Sequence, residues 1–184
     1  MKIPNAGKHI VVWLGLMLFS VPVPVLALQD ENGEVSQILQ DARDKAAVLS
    51  RDADEMETLT RSDVSWQSHA SLLDTMKDDV KDLAQDVEKL TAERDKASPW
   101  QRQAIDRMLP MIKELAADTT AAINHLKDLQ RRPVSPEYAN YLRQNSETSK
   151  QLADLISSVV QYDQTRAKLE KLEQKLEPST RASR

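Results

Sequence analysis

The chain has 184 residues, with 25 basic and 29 acidic side chains and no cysteine, which gives a net charge of −4. The acidic balance disfavours nucleic acid and anionic membranes as the main partner, and the absence of cysteine excludes disulfides and a lipid attached to an N-terminal cysteine. Of the three glycines, only Gly33 lies beyond residue 27. Phosphate-binding loops and tight β-hairpins need glycine, so an all-α fold is predicted and P-loop and dinucleotide-binding proteins are excluded.

The first 27 residues have the three regions of a secretory signal peptide. Lys2 and Lys8 precede an apolar run over residues 10–19, and Val25-Leu26-Ala27 supplies a cleavage site. We expect export to the periplasm or the medium of a bacterium, with cleavage after Ala27. The apolar run is short for a spanning helix, and a membrane is expected as a partner only if the signal stays uncleaved. Cleavage lowers the basic count from 25 to 23 against 29 acidic residues and gives a net charge of −6.

The first predicted helix runs from about residue 34 to residue 60, after a polar lead at 28–33. Asn32 is a candidate N-cap, and the neighbouring acidic residues favour a helix start through the helix dipole. Apolar residues recur at spacings of three and four, which is the heptad pattern of a helix buried along one narrow line, here called its seam. The seam of this helix contains Val35, Ile38, Leu39, Ala42, Ala46, Leu49, Ala53, Met56 and Leu59.

Residues 61–65 are predicted to form a turn, because Ser62, Asp63 and Ser65 are cap formers. No glycine or proline enforces the stop, and the alternative is one continuous helix from about 34 to 97. Such a helix would be roughly 95 Å long at about 1.5 Å per residue, and much of it would pack only in an oligomer. A turn leaves four helices of similar length that can close one core.

The second and third helices, at about 65–97 and 99–131, are predicted to form the antiparallel hairpin around which the fold is organised. Between them, Ser98-Pro99-Trp100-Gln101 is a start signal with serine at the N-cap and proline at the first helical position. The seam of the second helix contains Trp66, His69, Leu73, Met76, Val80, Leu83, Val87, Leu90, Arg94 and Ala97. The seam of the third contains Ile105, Met108, Ile112, Leu115, Thr119, Ala122, Leu126 and Leu129.

Ser135-Pro136 repeats this start signal and opens the fourth helix, which is predicted to end near Glu177. Its charged last turns, residues 168–177, are expected to overhang the other helices or to pair with another chain. Residues 178–184 are expected to be a disordered tail. The seam contains Tyr138, Tyr141, Leu142, Asn145, Leu152, Leu155, Ile156, Val159, Tyr162, Leu169, Leu172 and Leu176.

The predicted architecture is an antiparallel up-down-up-down four-helix bundle with coiled-coil-like packing, formed by residues 28–177. The segments SWQSHA at 65–70, SPWQRQAIDRM at 98–108 and KLEKLEQKLE at 168–177 together resemble uncharacterised exported helical-bundle proteins of bacteria. That resemblance implies the fold and an exported location, and it implies no activity.

Antiparallel pairing brings candidate ligands to one end of the bundle, whereas Trp100 is expected alone at the other end. Imidazoles on facing helices could hold haem or a metal. However, the chain has no Cys-x-x-Cys-His motif and no histidine late in the fourth helix. We therefore favour a structural role, in which the tryptophan and tyrosine rings close this end of the bundle. Their polar atoms and the histidines then reach water or each other. The residues expected at this end are Trp66, His69, His125, Tyr138, Tyr141 and Met56.

No catalytic site or metal centre is predicted. Neither His69 nor His125 has the glutamate three residues earlier that a di-iron bundle needs, and Ser65 lacks an oxyanion hole. Asn145 and Arg166 are expected to set the helix register. Acidic residues recur every four positions along the second helix, but lysines lie among them, which is typical of a solvated, ion-paired face. These acidic residues are Asp74, Asp78, Asp82 and Asp86.

Three classes of function fit these features. We expect a non-enzymatic, exported interaction or scaffold protein that binds a protein partner, or a second copy of itself, through its helix faces. One alternative is a haem, metal or small-ligand carrier that uses the His69/His125 end of the bundle. The other alternative is a lipid-associating amphipathic bundle. The preferred class requires no cofactor and no nucleic acid.

Overall fold

The computed structural model describes residues 30–61, 64–128 and 135–176, with side chains from residue 33 onwards. The expected signal peptide at 1–27 and the expected tail at 178–184 lie outside these described residues. Within them, no helix is long and apolar enough to cross a lipid bilayer.

Four long α-helices account for most of the described residues, and their packing confirms the predicted all-α four-helix bundle. Each helix packs against two neighbours, in the order α1, α2, α3, α4 and back to α1. The helices are α1 (Asp30–Leu59), α2 (Trp66–Ala92), α3 (Pro99–Asp128) and α4 (Pro136–Leu176), with a short 3₁₀-helix at Arg94–Lys96.

The predicted turn between the first two helices is confirmed, so the continuous helix from 34 to 97 is wrong. The chain leaves α1 through a turn in which the amides of Thr60 and Arg61 donate to the carbonyls of Glu57 and Thr58. Ser65 then caps α2, because its side chain accepts a hydrogen bond from the Ser68 amide at 3.3 Å. This bond satisfies one of the amides that a helix start leaves without a partner.

Two helix ends differ from the sequence prediction. Helix α1 begins at Asp30, which places Asn32 inside its first turn and not at the N-cap. Helix α2 ends at Ala92 and continues as a 3₁₀ turn, which carries Arg94 out of the predicted seam. The Arg94 guanidinium donates at 2.7 and 2.8 Å to the two carboxylate oxygens of Asp106. A paired, half-exposed guanidinium avoids the cost of burying that charge in an apolar seam.

Both predicted serine–proline helix starts are confirmed. At the first, the Ser98 amide and hydroxyl both donate to Gln101 Oε1 at 2.9 Å, and Gln101 is buried. At the second, Ser135 Oγ accepts a hydrogen bond from the Tyr138 amide at 3.1 Å. Each proline occupies the first helical position, where its missing amide hydrogen costs nothing.

The buried core follows the predicted seams, except at the two ends of the bundle. The predicted seam residues that are exposed instead are Trp66, Tyr162, Leu169, Leu172 and Leu176. The core also contains a polar pair, in which Thr119 Oγ1 is 3.4 Å from Asn145 Oδ1. Arg166 is instead exposed and lies 3.5 Å from Glu170, so it is not a seam residue. The fully buried large side chains include Tyr138, Leu39, Leu49, Met56, Leu73, Met76, Leu83, Leu90, Ile105, Met108, Leu115 and Leu142.

Helix α4 is 41 residues long, whereas α1, α2 and α3 have 30, 27 and 30 residues. Its last buried residue is Val160, and every residue from Thr165 to Leu176 is exposed. We call residues 161–176 the projecting end of α4. The overhang expected from the sequence is therefore confirmed.

Candidate functional site

Two helix starts and one helix end bring the candidate ligands together. Ser65 and Ser135 fix where α2 and α4 begin, which places His69 and Tyr138 in the first turn of each helix. His125 lies in the last turn of α3. We call the set of His69, His125, Tyr138 and Tyr141 the His–Tyr cluster.

The His–Tyr cluster is joined by hydrogen bonds and ring contacts. His69 Nδ1 lies 3.2 Å from the Tyr138 hydroxyl, and His125 Nε2 lies 2.7 Å from Ser135 Oγ. The Tyr138 ring is edge-on to His69 at 5.6 Å and nearly parallel to His125 at 6.2 Å. Tyr141 meets His125 edge-on at 6.0 Å. These contacts tie α2, α3 and α4 together at one end of the bundle.

Burial keeps the centre of the cluster uncharged. Both His69 and Tyr138 are fully buried. Burial lowers the pKa of His69 and raises the pKa of Tyr138, because each group loses the water that would stabilise its ion. At neutral pH the cluster therefore contains a neutral imidazole and a neutral phenol.

The cluster offers few atoms to a ligand. One nitrogen of each histidine is engaged within the protein, and His69 Nε2 is buried without a hydrogen-bond partner among the described residues. His125 Nδ1 is 4.0 Å from a carboxylate oxygen of Glu137. In the ranges that the structure describes, no three histidine, cysteine or acidic side chains are grouped so that they could hold a metal ion.

The remaining predicted members of this end are placed differently. Met56 is buried in the seam of α1, outside the ring contacts of the His–Tyr cluster. The prediction of Trp66 as a buried seam residue is wrong, because its side chain is 40% exposed. It stands at the first position of α2, beyond the last packed layer of the core. It borders a cavity of about 90 Å³ between α2 and α3, lined by Trp66, Ala70, Leu73, Asp74, Ile123, Leu126 and Lys127.

We expect calorimetric titration with haem, Zn²⁺ and Cu²⁺ to show only weak binding that neither His69→Ala nor His125→Ala alters. The reason is that the free nitrogen of His69 is fully buried, and no third histidine, cysteine or acidic ligand is grouped with the two histidines among the described residues. Circular dichroism of both variants controls for loss of fold. Micromolar binding of one of these ligands, abolished in both variants, would instead establish a ligand site.

An ion-pair cluster on α2 was missed by the sequence analysis. Asp86 is buried, although its spacing assigned it to a solvated face. Its carboxylate oxygens accept from Lys45 Nζ of α1 at 2.6 Å and from Lys89 Nζ at 2.9 Å. Burial opposes ionisation of Asp86, but the hydrogen bonds from these two lysines outweigh it and hold the pKa of the carboxyl below its usual value. The cluster fixes α1 against α2.

A second carboxyl on the same interface has the opposite character. Burial, together with the nearby carboxylate of Asp52, raises the pKa of Asp79 to about 6. The neighbouring Asp52 carboxylate opposes a second negative charge and so favours the protonated form of Asp79. Among the described residues, no third histidine, cysteine or acidic side chain is grouped with this pair so that a metal ion could be held.

The projecting end of α4 is the second candidate site. Its apolar side chains form a stripe, which we define as Tyr162, Leu169, Leu172 and Leu176. The three leucines are 55%, 54% and 78% exposed. Tyr162 packs edge-on against Trp100 at 4.9 Å, so the expectation that Trp100 stands alone at its end of the bundle is wrong.

Comparisons with protein-family models, with curated protein sequences and with solved structures find no match for this chain.

Proposed function

We propose that this protein is an exported, non-enzymatic interaction or scaffold protein that binds a protein partner through the projecting end of α4. The observation that carries the proposal is the apolar stripe on a helix that extends beyond its own bundle. Burying one leucine side chain is worth about 1.5–3 kcal/mol. Three leucines that are each more than half exposed could therefore contribute several times this free energy if a partner buried them.

The non-enzymatic part of the proposal is supported by the state of the polar side chains. Ser65, which precedes His69 by one helical turn, is engaged as the N-cap of α2. His69 itself is fully buried against Tyr138. A nucleophile and its base both need access to substrate, and the burial of His69 denies that access to the base.

The test compares proteins retained from the exported fraction of the native cell by three immobilised forms of this protein. We expect the wild type to retain a protein that Leu169→Glu/Leu172→Glu loses. The matched control is Ala167→Glu/Gln174→Glu, which adds the same charge to exposed positions on the opposite face of the helix. This control should retain the same protein as the wild type. Retention that is identical for all three forms would contradict the proposal.

Two further measurements test the remaining parts. N-terminal sequencing of the protein recovered outside the cytoplasm should begin at Leu28, and a start at Met1 would contradict cleavage. Flotation with phospholipid vesicles should leave the protein unbound. Flotation that depends on Leu169 and Leu172 would replace the scaffold proposal by the lipid-associating alternative.

A further inference from the structure

The apolar stripe of α4 does not continue the seam that faces its own bundle. The buried line along α4 runs through Ser149, Leu152, Ile156 and Val159 at spacings of three and four. The same alternation would next reach charged residues, namely Asp163, Arg166, Glu170 and Glu173. The leucines lie one residue earlier in each step, which rotates the stripe by about 100° around a helix of 3.6 residues per turn.

The position of this change in register matters. It occurs between Val159 and Tyr162, where the burial of α4 ends, since Val160 is its last buried residue. Beyond Tyr162, the stripe therefore faces away from the core of its own bundle, and no described side chain covers Leu169, Leu172 or Leu176. A stripe that merely ran on from the bundle would keep the bundle's register, so this one is matched to a different surface.

The spacing of the stripe identifies the kind of surface. Tyr162, Thr165, Leu169, Leu172 and Leu176 are separated by three, four, three and four residues. These are the a and d positions of two consecutive heptads, which pair with another helix through knobs-into-holes packing. A helix that pairs with this stripe must also carry, beside its own seam, charges opposite to those that flank the stripe.

The flanking charges fit a second copy in parallel orientation. In a parallel, in-register pair, Lys168 at the g position faces Glu173 of the other copy at the e position. Because the pair is symmetric, this attraction occurs twice. No like charges face each other across that seam within residues 161–176. In an antiparallel pair that aligns Leu169 with Leu172, Arg166 would face Glu173, but Lys168 would face Lys175 and the two effects would cancel.

We propose that two copies of this protein dimerise through the projecting ends of α4, as a short parallel coiled coil with Leu169, Leu172 and Leu176 at its centre. This proposal rests on the proposed function, since it names a second copy as the protein partner. The seam is about 22 Å long for residues 162–176, which is less than a standard stable interface provides. The dimer therefore dissociates on dilution and reassociates on concentration.

Sedimentation equilibrium of the wild-type chain is the primary test. We expect the apparent mass to rise about twofold between low and high micromolar concentration. Leu169→Glu/Leu172→Glu should remain monomeric, and Ala167→Glu/Gln174→Glu should behave as the wild type. These positions are exposed in the monomer, so circular dichroism and thermal unfolding of the variants should match the wild type and show that they are folded.

Charge reversal tests the proposed contact across the seam. Lys168→Glu places two glutamates opposite each other and should weaken dimerisation. Adding Glu173→Lys to the same chain restores an opposite-charge pair and should restore the dimer. A general loss of helix stability would give no such rescue.

Cysteine cross-linking tests the orientation, because the chain has no cysteine of its own. Thr165→Cys lies at a d position and should form a disulfide-linked dimer on oxidation, since d faces d only in a parallel, in-register pair. Ala167→Cys lies on the opposite face and should not. Failure of Thr165→Cys to cross-link would overturn the parallel arrangement.

A wild-type chain that stays monomeric at all concentrations would overturn the dimer. If that monomer still retained another protein through Leu169 and Leu172, the proposed function would stand with a different partner. If it retained nothing through the stripe, the proposed function would fail as well. The two failures are therefore distinguishable.

Discussion

Leu83→Ala is expected to lower the free energy of unfolding by about 2–5 kcal/mol. Leu83 is 0% exposed at the middle of α2, where it lies in the core between the layers of Val80 and Val87. Truncation removes the favourable burial of the side chain and leaves a cavity that the packed neighbours fill only in part. Urea denaturation followed by circular dichroism measures the change.

Leu176→Ala is the matched control, because it makes the same substitution at a leucine that is mostly exposed. At a concentration where the protein is monomeric, it should change the free energy of unfolding by no more than about 0.5 kcal/mol. A loss below about 1 kcal/mol for Leu83→Ala would mean that the centre of the α2 seam does not face the core.

Acidification below pH 6.5 is expected to destabilise the bundle through His69. Burial lowers the pKa of His69 in the folded state, whereas the unfolded chain binds a proton near the ordinary value of 6.5. The unfolded state therefore binds more protons as the pH falls through this range. The stability contributed by the neutral ring is complete above pH 6.5 and is lost progressively below it, at no more than about 1.4 kcal/mol for each pH unit.

Asp79 acts in the opposite direction and has to be separated from His69. Its pKa is raised to about 6 in the folded state, so the native protein gains stability as the pH falls through 6 towards the ordinary value of 3.8. Asp118, whose pKa is raised by burial and by Glu114, acts in the same sense. The wild type alone would therefore show only the sum of these opposing effects.

The measurement is the difference in unfolding free energy between the wild type and His69→Gln, taken at intervals from pH 7.5 to pH 4.5. Glutamine keeps a polar atom for Tyr138 but does not titrate. The carboxyl effects are common to both proteins and cancel, so the wild type should lose stability relative to the variant as the pH falls. A difference that stays constant across this range would show that His69 does not carry the acid sensitivity.

The order, length and buried lines of the helices were predictable because they are local properties. The heptad spacing in each helix, the caps at Ser65, Ser98 and Ser135, and the near absence of glycine all act within a few residues of the chain. Antiparallel pairing of short-connected helices then placed His69 and His125 at the same end. The overhang of α4 followed from length alone.

The individual environments of polar side chains were decided by the neighbouring helices. Asp86 looked solvated in its own helix, yet Lys45 of α1 pairs with it in a buried contact. Arg94 and Trp66 occupied seam positions by spacing, but the 3₁₀ turn and the end of the packed layers leave both partly exposed. Each outcome depends on a partner distant in sequence, which a periodic pattern does not identify.

The contact between Trp100 and Tyr162, and the exposure of the stripe beyond it, also depend on the assembled bundle. The sequence by itself determined that α4 carries leucines at heptad spacing near its end. Only the tertiary structure decided that burial along α4 ends at Val160. Beyond that point the leucine spacing leaves the register of the buried seam, and no other helix among the described residues covers it. The periodicity of a sequence shows that one face of a helix is apolar. Whether that face is buried depends on whether another helix extends far enough along the bundle to cover it.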